Sequence, residues 1–345
     1  MIFSKLHLKT IILSSFMLCA CTPSNIPSHP LVNIRANPEW IGNLEITFLG
    51  NTTILLSDQK RTLLIDGFLS RPGLFKVAFG KILYDKTEIT RQLQKNEFEK
   101  IDSLIMTHSH YDHALDSPVI ANEYSANLIG SEDVYKIAAD QFGAMEHPKG
   151  ECAGNKISIG PHRAPVFCGE FKIWLEKASR HSHLPVGMNE WLLDGTIDST
   201  VDFSRSQRFF KYKESESYNV FLEHPAINMF FLVEHLGANS RIREADMVFV
   251  SLPILKEMLK DSKEEKTLPS MLDSILGREA KVHLVPVHWD NFFRSLDKPL
   301  EIQFTLQSTV KKLMEVQKDR SSKYKILWMQ AFNRLVIGII ASIGW

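Results

Sequence analysis

The heptapeptide THSHYDH, residues 107–113, places three imidazoles and one carboxylate within six positions: His108, His110, Asp112 and His113. Neutral imidazoles and carboxylates are the ligands that zinc and other borderline divalent ions prefer. His108 and His110 are two residues apart, so their side chains point to the same side of an extended segment. Asp112 and His113 follow where the chain turns, and we expect them to face a second, neighbouring metal position. The alternatives are a purely structural metal site or a set of buried polar residues.

Three predicted strands lead to histidines. The apolar run IDSLIMT (101–107) predicts a buried strand that ends at the heptapeptide. A second predicted strand, FKIWLEKA (171–178), precedes His181, and a third, VHLVPVH (282–288), ends at His288. In an open α/β sheet, ligands collect beyond the carboxyl ends of the strands. The sequence therefore predicts one composite site.

The heptapeptide and the two later histidines provide enough ligands for two metal ions. A catalytic zinc ion needs about three protein ligands and an open position for water. One set is His108, His110 and His181, and the other is Asp112, His113 and His288. His183 is the alternative to His181. Five further histidines are more simply explained as surface or core residues: His147, His162, His224, His235 and His283.

The rest of the chain is predicted to alternate strands and helices. Strands are expected over 44–50, 52–58, 61–67, 218–224, 227–235 and 245–252, and helices over 86–100, 117–126 and 131–143. Residues 185–217 show no clear periodicity and carry charges and glycines, which indicates a long insertion. Loops of this length are usually functional or mobile.

The composition is that of a globular protein large enough for a substantial core, with 345 residues of which 44% are hydrophobic. Lys plus Arg and Asp plus Glu both number 40, so the formal net charge is zero. Nucleic-acid-binding proteins usually carry a basic surplus, and we therefore expect no nucleic-acid partner. The sequence gives no indication of the oligomeric state.

The N-terminus has the features of a bacterial export signal. Lys5 and Lys9 precede an apolar segment, residues 10–20, that is too short to span a bilayer. The sequence LCAC at residues 18–21 resembles the lipobox of bacterial lipoproteins. That resemblance implies cleavage before Cys21 and lipidation of this cysteine. A simple export signal with an incidental cysteine is the alternative.

This interpretation divides the chain into three parts. Residues 1–20 are the predicted signal peptide, the proline-rich residues 21–38 an extended tether that begins at the lipidated cysteine, and residues 39–345 the folded domain. Thr22, rather than an aspartate, follows Cys21, which favours the outer membrane over the inner one. We therefore expect a lipid-anchored protein on the periplasmic face of the bacterial envelope.

Two cysteines, Cys152 and Cys168, remain in the predicted mature chain. Export makes a disulfide between them chemically feasible. Two unpaired buried thiols are an equally good explanation of the same pair, so the sequence leaves this choice open.

The heptapeptide, with a predicted strand before it and a predicted helix after it, resembles the signature of the metallo-β-lactamase fold. Supporting motifs follow in the order found in that family: LLIDGF contains Asp66, ASRHS contains His181, and VPVHWDNF contains His288. The resemblance covers about residues 40–295. It implies an α/β fold of the αβ/βα sandwich type, with two mixed sheets packed face to face, helices outside and metals at one edge. It also implies that Asp66 orients a ligand histidine.

The context of His288 narrows the resemblance. The proline before it and the aromatic residue after it are most similar to the branch that contains ascorbate-6-phosphate lactonase and N-acylphosphatidylethanolamine phospholipase D. One feature departs from the family pattern: an aspartate that usually bridges the two metals, often in a Gly-Asp pair, is missing from FFLVEHLGANS (230–240). Glu234 and His235 are the nearest substitutes, and Asp246 lies further along the chain.

The resemblance implies a metal-dependent hydrolase, with zinc as the expected cofactor and manganese or iron as alternatives. One or two ions are expected, and without a bridging aspartate the second should bind more weakly. A metal-bound hydroxide would attack an ester, phosphodiester or lactone, with Asp112 as the catalytic carboxylate. The substrate would be a small or lipid-like molecule, and the candidates for contact with it are Arg180, Trp289 and residues 185–217. The alternative is a non-catalytic metal-binding or envelope-assembly lipoprotein with a degenerate site.

The chain ends in an apolar segment, RLVIGIIASIGW (334–345), that is too short to span a bilayer. A final core strand or helix is the favoured interpretation. A tail that touches the membrane is the alternative.

Overall fold

A computed structural model describes residues 26, 31–36, 40–143, 152, 165–178, 192–214, 216–237, 240–261, 267–277, 281–318 and 323–338. The strands in these residues are β1 (Leu31–Arg35), β2 (Asn43–Phe48), β3 (Ile54–Ser57), β4 (Thr62–Ile65), β5 (Ser103–Ile105), β6 (Asn127–Ile129), β7 (Val166–Cys168), β8 (Phe171–Lys177), β9 (Tyr218–Glu223), β10 (Met229–Leu232), β11 (Met247–Ser251), β12 (Val282–Val287), β13 (Tyr324–Ile326) and β14 (Arg334–Gly338).

The strands form two seven-stranded mixed sheets. The first has the order β1-β14-β2-β3-β4-β5-β6, and the second β13-β12-β11-β10-β9-β8-β7. Strands β4, β5 and β6 are parallel, as are β10, β11, β12 and β13, whereas the hairpin strands are antiparallel. Strands β5 and β11 are buried along their whole length, which is expected where both faces of a sheet are covered. The two-sheet α/β sandwich predicted from the sequence is thereby confirmed.

The helices in the described residues are α1 (Leu74–Phe79), α2 (Lys86–Lys95), α3 (Tyr111–Ala114), α4 (Ser117–Tyr124), α5 (Glu132–Phe142), α6 (Leu252–Asp261), α7 (Leu268–Leu276) and α8 (Gln307–Lys318). The α2 helix begins where the Asp85 side chain accepts a hydrogen bond from the Glu88 amide at 3.1 Å, which is a standard N-cap. It ends five residues before the predicted Lys100, because Glu97 has a left-handed φ of 58°.

The β1 strand corrects the predicted length of the tether. Residues 21–38 were expected to be an extended spacer, but Leu31–Arg35 pair in parallel register with Arg334–Gly338, and Ile34 is buried. The backbone is extended as expected, yet it forms the edge of the first sheet. Five residues between proline-rich flanks carry too little periodicity to predict a strand, and the partner strand lies about 300 residues away in sequence.

The apolar C-terminal segment supplies that partner. Its first part, Arg334–Gly338, is β14, which lies between β1 and β2 with Leu335 and Ile337 buried. This agrees with the favoured prediction of a final core strand, and residues 339–345 lie outside the described residues. In the part of the chain that the structure describes, no helix has the length and apolar character needed to cross a membrane.

Cys152 and Cys168 form a disulfide, which resolves the choice that the sequence left open. Both residues are buried, and the Cys152 carbonyl accepts a hydrogen bond from the Ser103 hydroxyl at 2.8 Å. The disulfide therefore ties residue 152 to β7, and the Ser103 hydrogen bond ties it to the β5 strand that precedes the histidine loop. A loop of this size stabilises the folded state by roughly 3 kcal/mol in the chain-entropy description.

The described part of the predicted insertion, residues 192–214, packs against the domain. Phe203 and Tyr212 are fully buried with ring centroids 4.7 Å apart. The Ile197 amide donates to the Asp133 side chain on α5 at 3.2 Å, and Ile82 and Gln207 exchange backbone hydrogen bonds. This segment therefore covers α5 and the region beside the histidine loop.

Candidate metal centre

The heptapeptide THSHYDH forms a loop, the histidine loop (residues 107–113), at the carboxyl end of β5. The loop turns into α3 at Tyr111, with His110 at the N-cap position. All four predicted ligand side chains in it are buried: His108, His110, Asp112 and His113. The Thr107 carbonyl accepts a hydrogen bond from the Tyr218 amide at 2.8 Å, so the loop is tied to the second sheet.

Asp66 holds the start of this loop from the end of β4. Its Oδ1 accepts a hydrogen bond from the Thr107 amide at 2.8 Å, and its Oδ2 accepts one from the Thr52 hydroxyl at 2.7 Å. The same Oδ2 lies 2.7 Å from His113 Nδ1. A carboxylate at one imidazole nitrogen fixes the ring orientation and increases the basicity of the other nitrogen. Asp66 thus occupies the orienting position that the sequence resemblance implied.

One set of potential ligands consists of Asp112, His113 and His288, whose ligand atoms all lie within 4.8 Å of one another. Asp112 Oδ2 is 3.2 Å from His288 Nε2 and 3.6 Å from His113 Nε2. The structure therefore brings together the three residues that the sequence grouped as the second metal set.

A turn at Gly50 and Asn51 positions two members of this set. The Asn51 carbonyl accepts from the His288 amide at 2.7 Å, and its side-chain amide donates to the Asp112 carbonyl at 2.7 Å. Gly50 has a φ of +88°, and a Cβ there would lie 2.5 Å from the Arg71 guanidinium. Glycine is therefore required at this close approach. Arg71 in turn forms a buried ion pair with Asp290, which accepts from the Asn51 amide at 2.8 Å.

A second set consists of His108, His110 and Glu214, whose ligand atoms also lie within 4.8 Å of one another. His110 Nε2 is 3.5 Å from Glu214 Oε2. The sequence predicted His181 in this set, with His183 as the alternative, and both lie outside the described residues. Glu214 was not predicted, because in KYKESES (211–217) it has the composition of a charged surface loop and only its burial distinguishes it.

The two ligand sets lie next to each other, and the charged groups of one set affect the pKa values of the other. The His108 and His113 ring centroids are 3.8 Å apart. Burial alone would raise the pKa of Asp112, but His113, His288 and His110 outweigh burial and hold that pKa well below its usual range. Burial would lower the pKa of His113, but the Asp66 and Asp112 carboxylates outweigh it and raise that pKa. Asp112 is therefore an acceptor or a metal ligand at neutral pH and has no proton to donate.

Glu234, the sequence candidate for the bridging position, lies two residues after the end of β10. Glu234 is 1% exposed, and its charge is one of the causes that raise the pKa of His113. Asn219 fixes the backbone here, since its Oδ1 accepts from the Glu234 amide at 2.9 Å and its Nδ2 donates to the His235 carbonyl at 3.3 Å. Asp246 lies elsewhere: it is exposed at the start of β11 and bonds to Asn228.

Aromatic side chains line the His288 side of the centre. The Phe292 ring lies edge-on to His288 with centroids 5.4 Å apart, and it also contacts Tyr111 and Phe68. Trp289, a sequence candidate for substrate contact, is instead fully buried between Phe48 and Trp328. The other candidate side chain, Arg180, lies outside the described residues.

The donor atoms fit a divalent metal ion. Two ligand atoms that each lie about 2.0–2.2 Å from one tetrahedral ion are separated by about 3.3–3.6 Å. The separations of 3.2 and 3.6 Å around Asp112 and of 3.5 Å between His110 and Glu214 fall in or next to this range. Buried nitrogen and carboxylate donors in this arrangement are typical of metal centres.

Comparison with known proteins finds a family model that matches part of this chain. Residues 46–168, which contain the histidine loop, match the model of the metallo-beta-lactamase superfamily. This match agrees with the resemblance seen in the sequence motifs, and the two seven-stranded sheets have the layout that the resemblance implied.

One curated relative and two solved structures illustrate the similarity. A UPF0173 metal-dependent hydrolase from Thermodesulfovibrio yellowstonii is 31% identical over 116 residues, which are 33% of this chain and only 38% of the relative. The metallo hydrolase Igni18 from Ignicoccus hospitalis is 12% identical with a TM-score of 0.46, covering 86% of this chain and 98% of that one. A metallo-beta-lactamase fold protein from Bacillus subtilis is 11% identical with a TM-score of 0.46, covering 86% and 99%.

Proposed function

We propose that the protein is a metal-dependent hydrolase whose centre is built from the histidine loop and His288. The observation that carries this proposal is the pair of adjacent ligand sets, each with ligand atoms within 4.8 Å of one another. The match of residues 46–168 to the metallo-beta-lactamase superfamily supports it, as does the name of the metal-dependent hydrolase that shares 31% identity over part of its length.

The protein side chains would hold and orient the metal. His113 and His288 would bind through imidazole nitrogens, and Asp112 would bind through the carboxylate oxygen that lies between them. The Asp66 carboxylate keeps His113 Nδ1 occupied, so that Nε2 faces Asp112. A divalent ion held here would lower the pKa of water and polarise the electrophile of the substrate.

Asp112 would have a second role as the proton acceptor of the reaction. Its carboxylate is ionised at neutral pH, because the neighbouring imidazoles keep its pKa well below the usual range. A carboxylate in this state accepts a hydrogen bond from a water molecule and orients it. The surrounding burial would exclude bulk water from the same position.

Zinc is the metal we propose, since imidazole nitrogen and carboxylate oxygen are its common ligands in hydrolases. Manganese and iron bind related donor sets and are the alternatives to be tested. We propose Glu234 as the substitute for the bridging aspartate of the family, with His235 as the neighbouring alternative. The burial of Glu234 and its influence on His113 support this position.

The substrate class we propose is an ester, a phosphodiester or a lactone of a small or lipid-like molecule. The ring of Phe292 beside His288 gives the centre an apolar flank, which suits a substrate with an apolar group near the scissile bond. Sequence motifs around His288 favour the lactonase and phospholipase branch. The predicted leader and Cys21 would place this chemistry beside lipid headgroups in the bacterial envelope.

The altered bridging position favours one alternative function. A chain that binds metal weakly or at one position only would be a non-catalytic metal-binding or envelope-assembly lipoprotein. Glu234 in place of an aspartate is the observation behind this alternative. Metal binding without hydrolysis of any substrate in a broad panel would support it.

A direct test removes one histidine of the loop. Replacing His110→Ala takes away one ligand, and we expect metal content and hydrolysis to fall together, with metal affinity reduced at least about 100-fold. The assays are elemental analysis of the purified chain and turnover of a generic ester, phosphodiester and lactone. Full turnover by the metal-free variant would contradict the proposal.

A further inference from the structure

The carboxylate of Glu214 belongs to a segment outside the sequence motifs of the centre. It lies at the end of the described insertion 192–214, is 7% exposed, and approaches His110 Nε2 to 3.5 Å through Oε2. The ligand atoms of His108, His110 and Glu214 lie within 4.8 Å of one another. The insertion therefore delivers an acidic side chain to the two histidines that precede Asp112.

The backbone around Glu214 is fixed on both sides. Its amide donates to the Leu193 carbonyl at 2.8 Å, and its carbonyl accepts from the Gly195 amide at 2.9 Å. The preceding residue, Lys213, accepts a hydrogen bond through its carbonyl from the Ser109 hydroxyl at 2.5 Å. Ser109 lies between His108 and His110, so the histidine loop and the Glu214 segment are held directly against each other.

The chemistry of the set matches a metal position that includes a carboxylate. Two atoms that share one tetrahedral ion are about 3.3–3.6 Å apart, and the separation of His110 Nε2 and Glu214 Oε2 is 3.5 Å. Neutral imidazoles provide no charge to offset a dication. A carboxylate provides one negative charge and a strong oxygen donor.

We propose that Glu214 is a protein ligand of the metal ion bound by His108 and His110. This inference rests on the proposed function, because it concerns the same metal centre. It adds a ligand from the insertion, and it makes metal binding a second link between residues 192–214 and the histidine loop, beside the Ser109–Lys213 hydrogen bond. Loss of the metal would then loosen this segment.

The test uses the metal-free protein and cobalt(II), whose visible absorption reports coordination number and geometry. The variant is Glu214→Gln, which keeps the side-chain shape and removes the charge. Its matched control is Glu216→Gln, since Glu216 pairs with Lys177 at 2.9 Å and with the Tyr218 hydroxyl at 2.6 Å. We expect E214Q to weaken cobalt binding at least about 100-fold and to change the absorption spectrum, and E216Q to match the wild type.

Hydrogen exchange provides a second measurement. Cobalt should protect amides of residues 209–218 in the wild type and in E216Q, and this protection should be lost in E214Q. If E214Q does not fold, Glu214→Asp takes its place, because it keeps the charge and shortens the reach by one methylene. Weaker cobalt binding by E214D would support the inference, and wild-type binding by it would overturn the inference.

The outcomes separate this inference from the proposed function. If the wild type binds cobalt and E214Q binds it with the same affinity, spectrum and exchange protection, Glu214 is not a ligand and the hydrolase proposal stands. If the wild type binds no cobalt, both proposals fail.

Discussion

Two buried histidines of this protein each lie against an aspartate, and they differ in what surrounds the rest of the ring. His113 Nδ1 is 2.7 Å from Asp66 Oδ2, and its Nε2 faces the Asp112 carboxylate at 3.6 Å. His224 Nε2 is 3.6 Å from Asp58 Oδ2, and its Nδ1 accepts a hydrogen bond from the Ala226 amide at 3.1 Å. The first histidine therefore presents a nitrogen to other ligand atoms, whereas the second has its nitrogens directed at its aspartate and at the backbone.

The ring environments show the same contrast. The His113 ring lies 3.8 Å from the His108 ring and 5.7 Å from the His288 ring, measured between centroids. The His224 ring packs against Trp40 at 4.8 Å and Phe171 at 4.7 Å. A buried imidazole–carboxylate pair is thus insufficient evidence for a functional site. The candidate metal centre differs because further potential ligand atoms lie close to Nε2, the ring nitrogen of His113 that does not face Asp66.

The largest difference between the two pairs should be in metal affinity. We expect Asp66→Asn to weaken metal binding about 10- to 100-fold, because it removes the carboxylate that orients His113. The matched variant Asp58→Asn should bind metal like the wild type. Competition titration with a chromophoric chelator measures both. Equal affinities for the two variants would remove the distinction between the pairs.

A smaller effect, on the free energy of unfolding, should appear at the His224–Asp58 pair. His224→Phe keeps an aromatic ring between Trp40 and Phe171 but removes the acceptor of the Ala226 amide and the partner of Asp58. We expect a loss of about 1–3 kcal/mol in the free energy of unfolding, since buried polar groups lose their partners. Metal content should not change. Denaturant unfolding and elemental analysis of the same sample test this pair of expectations, and a drop in metal content would show that His224 supports the centre.

The smallest effect should be a pH dependence at Asp58. Burial raises the pKa of this carboxyl, but the neighbouring His224 imidazole and hydrogen bonds from the Arg61 and Lys60 amides outweigh burial and lower it. A carboxyl whose folded pKa is below its ordinary value near 3.8 stabilises the protein above that pH and loses this contribution as the pH falls further. Unfolding free energies measured from pH 6 downwards should fall more steeply below pH 4 for the wild type than for D58N. Parallel curves for the two proteins would contradict a lowered pKa of Asp58 in the folded state.

The sequence was informative where the signal is local. The candidate ligands of the histidine loop and the strand before it are contiguous, so residue types and apolar runs were enough to predict that these side chains lie together at the end of a strand. His288 was predicted because it directly follows an apolar strand, and Asp66 because a family motif surrounds it. The sequence also predicted His224 to be an ordinary surface or core histidine, and it lies buried between Trp40 and Phe171.

The sequence was uninformative where the structure depends on distant partners. Leu31–Arg35 become a strand only because Arg334–Gly338 lie beside them. Glu214 reaches His110 only because the insertion folds back onto the histidine loop. The Ser109–Lys213 hydrogen bond, which holds the two segments together, joins residues 104 positions apart in the sequence. The Cys152–Cys168 bridge likewise depends on where residue 152 lies relative to β7. The pattern of residue types along the chain does not predict such contacts between distant segments.

If the histidine loop and His288 bind metal as proposed, counting metal ions shows it most directly. The purified protein is stripped with a chelator, reloaded with zinc, manganese or iron, passed over a desalting column and analysed for metal per chain. We expect one to two tightly bound ions per wild-type chain. Less than about one tenth of an ion per chain with every metal would contradict it.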